Sequence, residues 1–168
     1  MSKAFTVIEL IVVVGIILMI TGLILPNYKS NDKQLALERS IHKTAQDLRR
    51  VQGMAISAKE YDCGSQKLKG YGIGFLDDAD YYSVVARCVN GDVNDNFIER
   101  IDLENNIKIE ELKKGDTVVN GAYIFFYPPD PEADMGGESK VSITLAIEGN
   151  LSQIRTVEIN KIGVISIK

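Results

Sequence analysis

Apolar residues are concentrated near the start of the chain, in one block from residue 5 to residue 25. Glu9 is the one ionisable residue in this block, which is otherwise apolar on every face of a helix. A helix that rises ~1.5 Å per residue would cover roughly the ~30 Å hydrocarbon core of a bilayer over this length. A segment that is apolar all round is difficult to bury in a small soluble domain. The pattern therefore predicts a helix that meets lipid or the helices of sibling chains.

After Pro26 the pattern becomes amphipathic, with charged residues between apolar ones. The apolar residues recur at spacings of three, four and seven: Leu37, Ile41, Leu48, Val51, Ala55 and Ile56. This periodicity predicts a helix with one buried face that continues to about residue 58, where a turn-like segment follows. Pro26 is expected to kink this helix without ending it, because neighbouring protein can satisfy the carbonyl that proline leaves without a donor.

From residue 70 onward the hydrophobic period changes to two, which is typical of β-strands. The predicted strands are residues 71–75, 81–89, 97–103, 107–112, 123–127, 141–147, 154–159 and 164–167. Gly, Asn and Asp clusters separate these strands as hairpins require, and the Pro- and Gly-rich residues 127–137 are expected to form a loop. No second long helix intervenes, so the sheet should be mostly antiparallel. The expected fold is α+β, with a long hydrophobic-then-amphipathic N-terminal helix packed on this sheet.

Composition narrows the chemistry that the chain can perform. The net charge of −4 provides no global basic field for nucleic acid. One histidine and two cysteines are too few for a Cys/His metal cluster, and no Ser/His/Asp set is present. The repeated glycines Gly70, Gly72 and Gly74 precede no predicted helix, so they do not match a nucleotide-binding loop. We therefore expect neither an enzyme nor a bound metal or cofactor.

Glu9 is the residue that a plain signal anchor does not explain. A carboxylate at the centre of a spanning helix costs roughly 2.5–3.5 kcal/mol on insertion scales, and less near one end. No Lys or Arg lies within the apolar block, so a cation must come from another chain or from a new amino terminus. A plain anchor and a conventional cleaved signal remain alternatives, although no small-x-small cleavage site follows Leu25.

The residues around Glu9 carry a specific resemblance. The run Lys3-Ala4-Phe5-Thr6-Val7-Ile8-Glu9-Leu10 resembles the class III signal of type IV prepilins and type II secretion pseudopilins. The resemblance implies that prepilin peptidase cleaves between Ala4 and Phe5, that Phe5 becomes N-methylated, and that Glu9 acts in filament assembly. The family usually has Gly where this chain has Ala4. A proline about twenty residues into the mature helix is also common in the family, and Pro26 fits it.

A second resemblance covers the end of the chain. Residues 124–128, 143–145, 156–159 and 162–167 are similar to the domain shared by general secretion pathway protein H and the FimT minor pilins. Some FimT-like minor pilins capture DNA, which makes a DNA-binding module the alternative function. Arg155, Lys161 and Lys168 would be its basic contacts. Val164 stands where the family often has a basic residue after glycine.

The pilin resemblance implies a division of the chain and a location. Residues 1–4 would be the leader, 5–25 the membrane and assembly half of the helix, 26–60 its amphipathic half, and 61–168 the globular domain. The subunit would cross the inner membrane once, with this domain outside, and then join other pilin or pseudopilin subunits in a pilus or a secretion pseudopilus. Basic residues are more frequent after the apolar block than before it, which alone would favour the opposite orientation; we follow the motif.

Cys63 and Cys88 form the chain's one cysteine pair. In a domain outside the cytoplasm, such a pair favours a disulfide. The alternative is two buried free thiols.

Overall fold

The computed structural model describes residues 6–89, 97–130 and 132–168, with the backbone alone for 23–31. In chain order the elements are α1 Val7–Ile56, β1 Leu68–Leu76, β2 Tyr81–Cys88, β3 Phe97–Asp102, β4 Ile107–Lys114, β5 Thr117–Val118, β6 Gly121–Phe126, β7 Ala133–Asp134, β8 Lys140–Ile147, β9 Asn150–Asn160 and β10 Ile165–Ile167. The chain forms two compact units, Met1–Leu35 and Ala36–Lys168. Residues 7–35 of α1 belong to the first unit and residues 36–56 to the second.

The strands of the second unit form two five-stranded sheets, not the single sheet that the alternation predicted. One sheet has the order β3-β2-β1-β6-β7 and the other β10-β9-β8-β4-β5. Every strand pair is antiparallel, which confirms the α+β prediction with antiparallel pairing. Alternation reports which face of a strand is buried but not which strands share a sheet, so it could not show this division.

One face of α1 provides the centre of the core in the second unit. Ile41, Leu48 and Val51 have no exposed surface, and Leu37 is 3% exposed. The inner faces of both sheets join the same cluster, with large buried side chains such as Phe126. Fully burying a large apolar side chain stabilises a fold by about 1.5–3 kcal/mol, so this helix face is a major contributor to the unit's stability.

Polar contacts flank the buried helix face on both sides. Toward β3, Arg39 pairs with Glu104 at 2.8 Å and Arg50 with Glu99 at 2.9 Å. Toward β9 and β10, the Gln52 amide donates to the Gly163 carbonyl at 3.1 Å. The two exposed ion pairs each contribute about 0–1 kcal/mol, which is less than the burial of the apolar helix face contributes.

A part-buried hydrogen bond joins the helix to β2. The Tyr82 hydroxyl donates to Asp47 Oδ2 at 2.7 Å, and Tyr82 is 1% exposed. Burial, together with the hydrogen bond to Asp47, raises the pKa of Tyr82 far above its usual value. The hydroxyl therefore stays protonated and remains a donor to the helix.

The repeated glycines of β1 have a packing role. They face outward, and the β6 side chains Tyr123 and Phe125 pack over them. A Cβ on Gly72 would lie 2.5 Å from the Phe125 ring, and one on Gly74 would lie 2.4 Å from the Tyr123 ring. The Arg87 guanidinium lies 3.6 Å from the centre of the Phe125 ring, on the outer face of the same sheet. The glycines thus make room for a layer of aromatic rings against the backbone.

Two short strands were not predicted. β5 and β7 have two residues each, too few to show alternation. β7 lies within residues 127–137, which the prolines and glycines marked as a loop. There Ala133 pairs with Phe126 and also donates its N–H to the Lys161 carbonyl at 2.9 Å. The loop prediction is therefore wrong over Ala133 and Asp134.

The packing of β1 yields a stability prediction with an internal control. Gly72→Ala should lower the free energy of unfolding by about 1–3 kcal/mol, because the new methyl overlaps the Phe125 ring. Gly53→Ala should raise it by about 0.5–1 kcal/mol, because Gly53 is an exposed helix glycine with open space around it. Urea unfolding of the purified chain measures both. A neutral Gly72→Ala would contradict this account of the glycine repeat.

Candidate assembly site at the start of the helix

The first turn of α1 is closed by a side-chain cap. Thr6 Oγ1 accepts a hydrogen bond from the Glu9 N–H at 3.3 Å. In return, one Glu9 carboxylate oxygen accepts from the Thr6 N–H at 3.2 Å and from the Thr6 hydroxyl at 3.1 Å. This reciprocal arrangement is a capping box, and a carboxylate there also favours the positive end of the helix dipole. Glu9 therefore has a partner within its own chain.

The surface that follows Glu9 is apolar and open. From Val7 to Ile20 the large hydrophobic side chains are 46–77% exposed. Apolar patches this extensive are uncommon on monomers and mark sites that contact lipid or protein. Among the residues whose side chains are described, no helix is both long enough and apolar enough to cross a bilayer.

Three predicted residues of this region receive no test from the structure. Ala4 and Phe5, the predicted cleavage and methylation site, lie outside the described residues. Pro26 lies within the bounds of α1, and its kink stays a prediction.

The predicted disulfide is confirmed. Cys63, in the segment after α1, is bonded to Cys88 at the end of β2, with the two Cα atoms 6.0 Å apart. The bond spans 25 residues and ties an irregular segment to the first sheet. The neighbouring Tyr71 hydroxyl holds the same segment, since it donates to the Lys59 carbonyl at 2.8 Å.

The three basic residues proposed for DNA do not share one surface. Arg155 pairs with Glu38 of the helix at 2.6 Å. The backbone of Lys168 pairs with Thr156, and neighbours along a strand face opposite sides, so Arg155 and Lys168 lie on opposite faces of the sheet. The DNA contact stays a prediction that these positions do not favour.

Acidic side chains lie near two of these basic residues. The Lys168 ammonium binds Glu158 and holds the pKa of that carboxyl below its usual value. Lys161 borders a cleft that it shares with Asp130, Glu132 and Glu138. Within the described ranges, no group of three His, Cys, Asp or Glu side chains is placed to hold a metal ion.

Comparison with known proteins identifies the fold. The chain superposes on a crystal structure of the type IV minor pilin FimU from Pseudomonas aeruginosa with a TM-score of 0.50 and 13% sequence identity, over 83% of this chain and 90% of that one. A second crystal form of FimU gives 0.49 and 12%, over 79% and 92%. No family model and no curated protein matches the sequence. The chain therefore has a type IV pilin-like fold.

The capping box was missed at the sequence level, although its signal is present. Thr6 followed three residues later by Glu9, ahead of an apolar run, is the pattern of a helix start. The Thr6 hydroxyl is a neutral partner one turn away from Glu9, so a search for cations does not find it.

The disulfide yields the second prediction. Replacing Cys63 and Cys88 with Ala should lower the free energy of unfolding by roughly 3–4 kcal/mol, the chain-entropy value for a loop of this length. Urea unfolding without reductant gives the difference. Wild-type chain isolated from outside the cytoplasm should show no thiol that reacts with maleimide after denaturation. Full labelling of both cysteines would contradict the bonded state.

Proposed function

We propose that the chain is a structural subunit of a type IV pilus or a type II secretion pseudopilus, assembled into a helical filament through the start of α1. One observation carries the proposal: a pilin-like fold whose first helix exposes an apolar surface from Val7 to Ile20, with a single carboxylate, Glu9, at its beginning. Exposing this apolar surface to water is unfavourable in free energy. Contact with lipid, or with the same helices of other subunits, removes it from water.

The same surface supports a proposed location. Before assembly, residues 5–25 anchor the chain in the inner membrane and the second unit lies outside. The Cys63–Cys88 disulfide supports that side, because disulfides persist in oxidising compartments. Prepilin peptidase removes residues 1–4, and Phe5 is then methylated. The partners are this peptidase and other pilin or pseudopilin subunits.

Cleavage changes the neighbourhood of Glu9. From residue 6 onward, the hydrogen-bond partner that the structure gives the Glu9 carboxylate is the neutral Thr6. Cleavage after Ala4 places an ammonium on Phe5, directly before Thr6. An ammonium adds charge–charge attraction that the neutral Thr6 donors lack, so Glu9 can exchange its cap for the amine of an adjacent subunit. That exchange adds energy to assembly and aligns the two helices along the filament axis.

Processing is the test of the proposal as a whole. Chain isolated from native membranes should begin at Phe5, with the mass of residues 5–168 plus one methyl group. Intact-mass spectrometry reads this directly. Ala4→Glu should block cleavage, because a large charged side chain replaces the small residue before the cut. A retained Met1, or a terminus beyond Leu25, would end the pilin interpretation.

The assembly role of Glu9 gives a further prediction. Glu9→Ala should leave cleavage intact but lower incorporation into sheared filaments by at least about tenfold, since an unmatched ammonium in low dielectric costs more than about 1.4 kcal/mol. Glu9→Asp should be partly defective because its arm is shorter. Glu60→Ala, an exposed Glu after the helix, is the matched control.

Quantitative immunoblots of the filament and membrane fractions measure this effect. The strain should be one in which this subunit limits assembly, so that its neighbours do not mask the defect. Cleaved Glu9→Ala in filaments at the wild-type level would contradict the pairing of Glu9 with a neighbouring amine.

A further inference from the structure

A short motif at the start of β9 has no part in the assembly mechanism. Asn150-Leu151-Ser152 fits the pattern Asn-x-Ser/Thr, in which x is not Pro, and no other asparagine in the sequence does. This pattern is the acceptor for N-linked oligosaccharide in exported proteins. It also arises by chance, so its position in the fold has to decide whether it is usable.

The motif lies at an exposed hairpin. Gly149, in the turn, has a φ of 76°, a conformation that glycine adopts readily. Asn150 pairs with Ile147, but the next β9 residue in the ladder is Ile154, which pairs with Ala146. Residues 151–153 therefore bulge out of the sheet. Asn150, Leu151 and Ser152 are all exposed, so an enzyme can reach the Asn150 side chain at the end of the β8–β9 ladder.

Hydrogen bonds within the motif prepare the Asn150 amide. Its Oδ1 accepts from the Ser152 hydroxyl at 2.6 Å and from the Ser152 N–H at 3.2 Å. Two donors on the carbonyl oxygen draw electron density from the amide nitrogen and make its protons more acidic. In the described chain Nδ2 makes no hydrogen bond, so it is the group that remains available for reaction.

We propose that Asn150 is a site of N-linked glycosylation, with an oligosaccharide on a lipid pyrophosphate as the donor. Nδ2 forms a bond to the anomeric carbon of the first sugar and loses one proton to a base of the transferase. The bond from that carbon to the pyrophosphate oxygen breaks, and the lipid pyrophosphate leaves with the bonding electrons. In the cell this inference rests on the proposed export of the second unit.

The surroundings give the modification a physical consequence. Leu151 and Ile154 are 61% and 46% exposed on the same strand segment. A hydrophilic glycan on Asn150 would cover these apolar side chains. Glu148, exposed two residues before Asn150, adds a carboxylate that a transferase cation can bind.

The test uses the full chain in detergent, a purified single-subunit oligosaccharyltransferase and its lipid pyrophosphate oligosaccharide. Intact mass should increase by one oligosaccharide in the wild type and in Asn120→Gln, an exposed asparagine without the motif. Asn150→Gln should show no increase. Ser152→Ala should be modified at least about tenfold more slowly, and Ser152→Thr should retain modification because it keeps the hydroxyl. Circular dichroism checks that each variant is folded.

Two results would overturn the proposal: an unmodified wild type in a reaction that modifies an acceptor peptide, or the same mass gain in Asn150→Gln. Because the reaction is performed on purified chain, it does not depend on export. If the purified chain is glycosylated in this reaction but keeps Met1 in its native cell, the filament function is refuted and Asn150 remains an acceptor site. If the chain is cleaved to Phe5 in its native cell but is not glycosylated in this reaction, the acceptor site is refuted and the filament function remains.

Discussion

The packing of one face of α1 between two sheets is the constraint on which the second unit depends. Ile41, Leu48 and Val51 are buried completely, and the inner faces of both sheets meet this stripe. Either sheet without the helix would expose an apolar face to water. Tyr82 fixes the position of the helix along the sheet, because its hydrogen bond to Asp47 joins one residue of β2 to one turn of α1.

The first part of the same helix has an exposed apolar surface. Its side chains from Val7 to Ile20 are exposed, and in our proposal they contact lipid or other subunits. Between residues 6 and 20 the polar side chains are those of Thr6 and Glu9, which cap each other. Hydrogen bonds from Thr6 lower the free-energy cost of placing the Glu9 carboxylate in an apolar setting. The carboxylate can still bind a charged donor in place of Thr6. In our account that exchange is what couples proteolytic processing to assembly.

Much of the fold could be predicted from local patterns. The spacing of Leu37, Ile41 and Leu48 identified the buried helix face, and alternation located eight strands close to their observed bounds. What failed depends on contacts distant in sequence. The division into two sheets, the two-residue strand at Ala133 and the ring of Phe125 over Gly72 leave no periodic signal. The separation of Arg155 from Lys168 was also not predicted, because the face that Lys168 occupies depends on its pairing with Thr156 of the neighbouring strand.

Site-specific photo-crosslinking at Ile16 tests the central claim most directly. Ile16 is 53% exposed in the apolar part of α1, and Val118 in β5 is a control of matched exposure at 55%. A photoreactive residue at position 16 should cross-link the chain to pilin or pseudopilin subunits in the filament fraction, and one at position 118 should do so far less. If position 16 formed no cross-link to another subunit in cells that make the filament, the result would contradict the account.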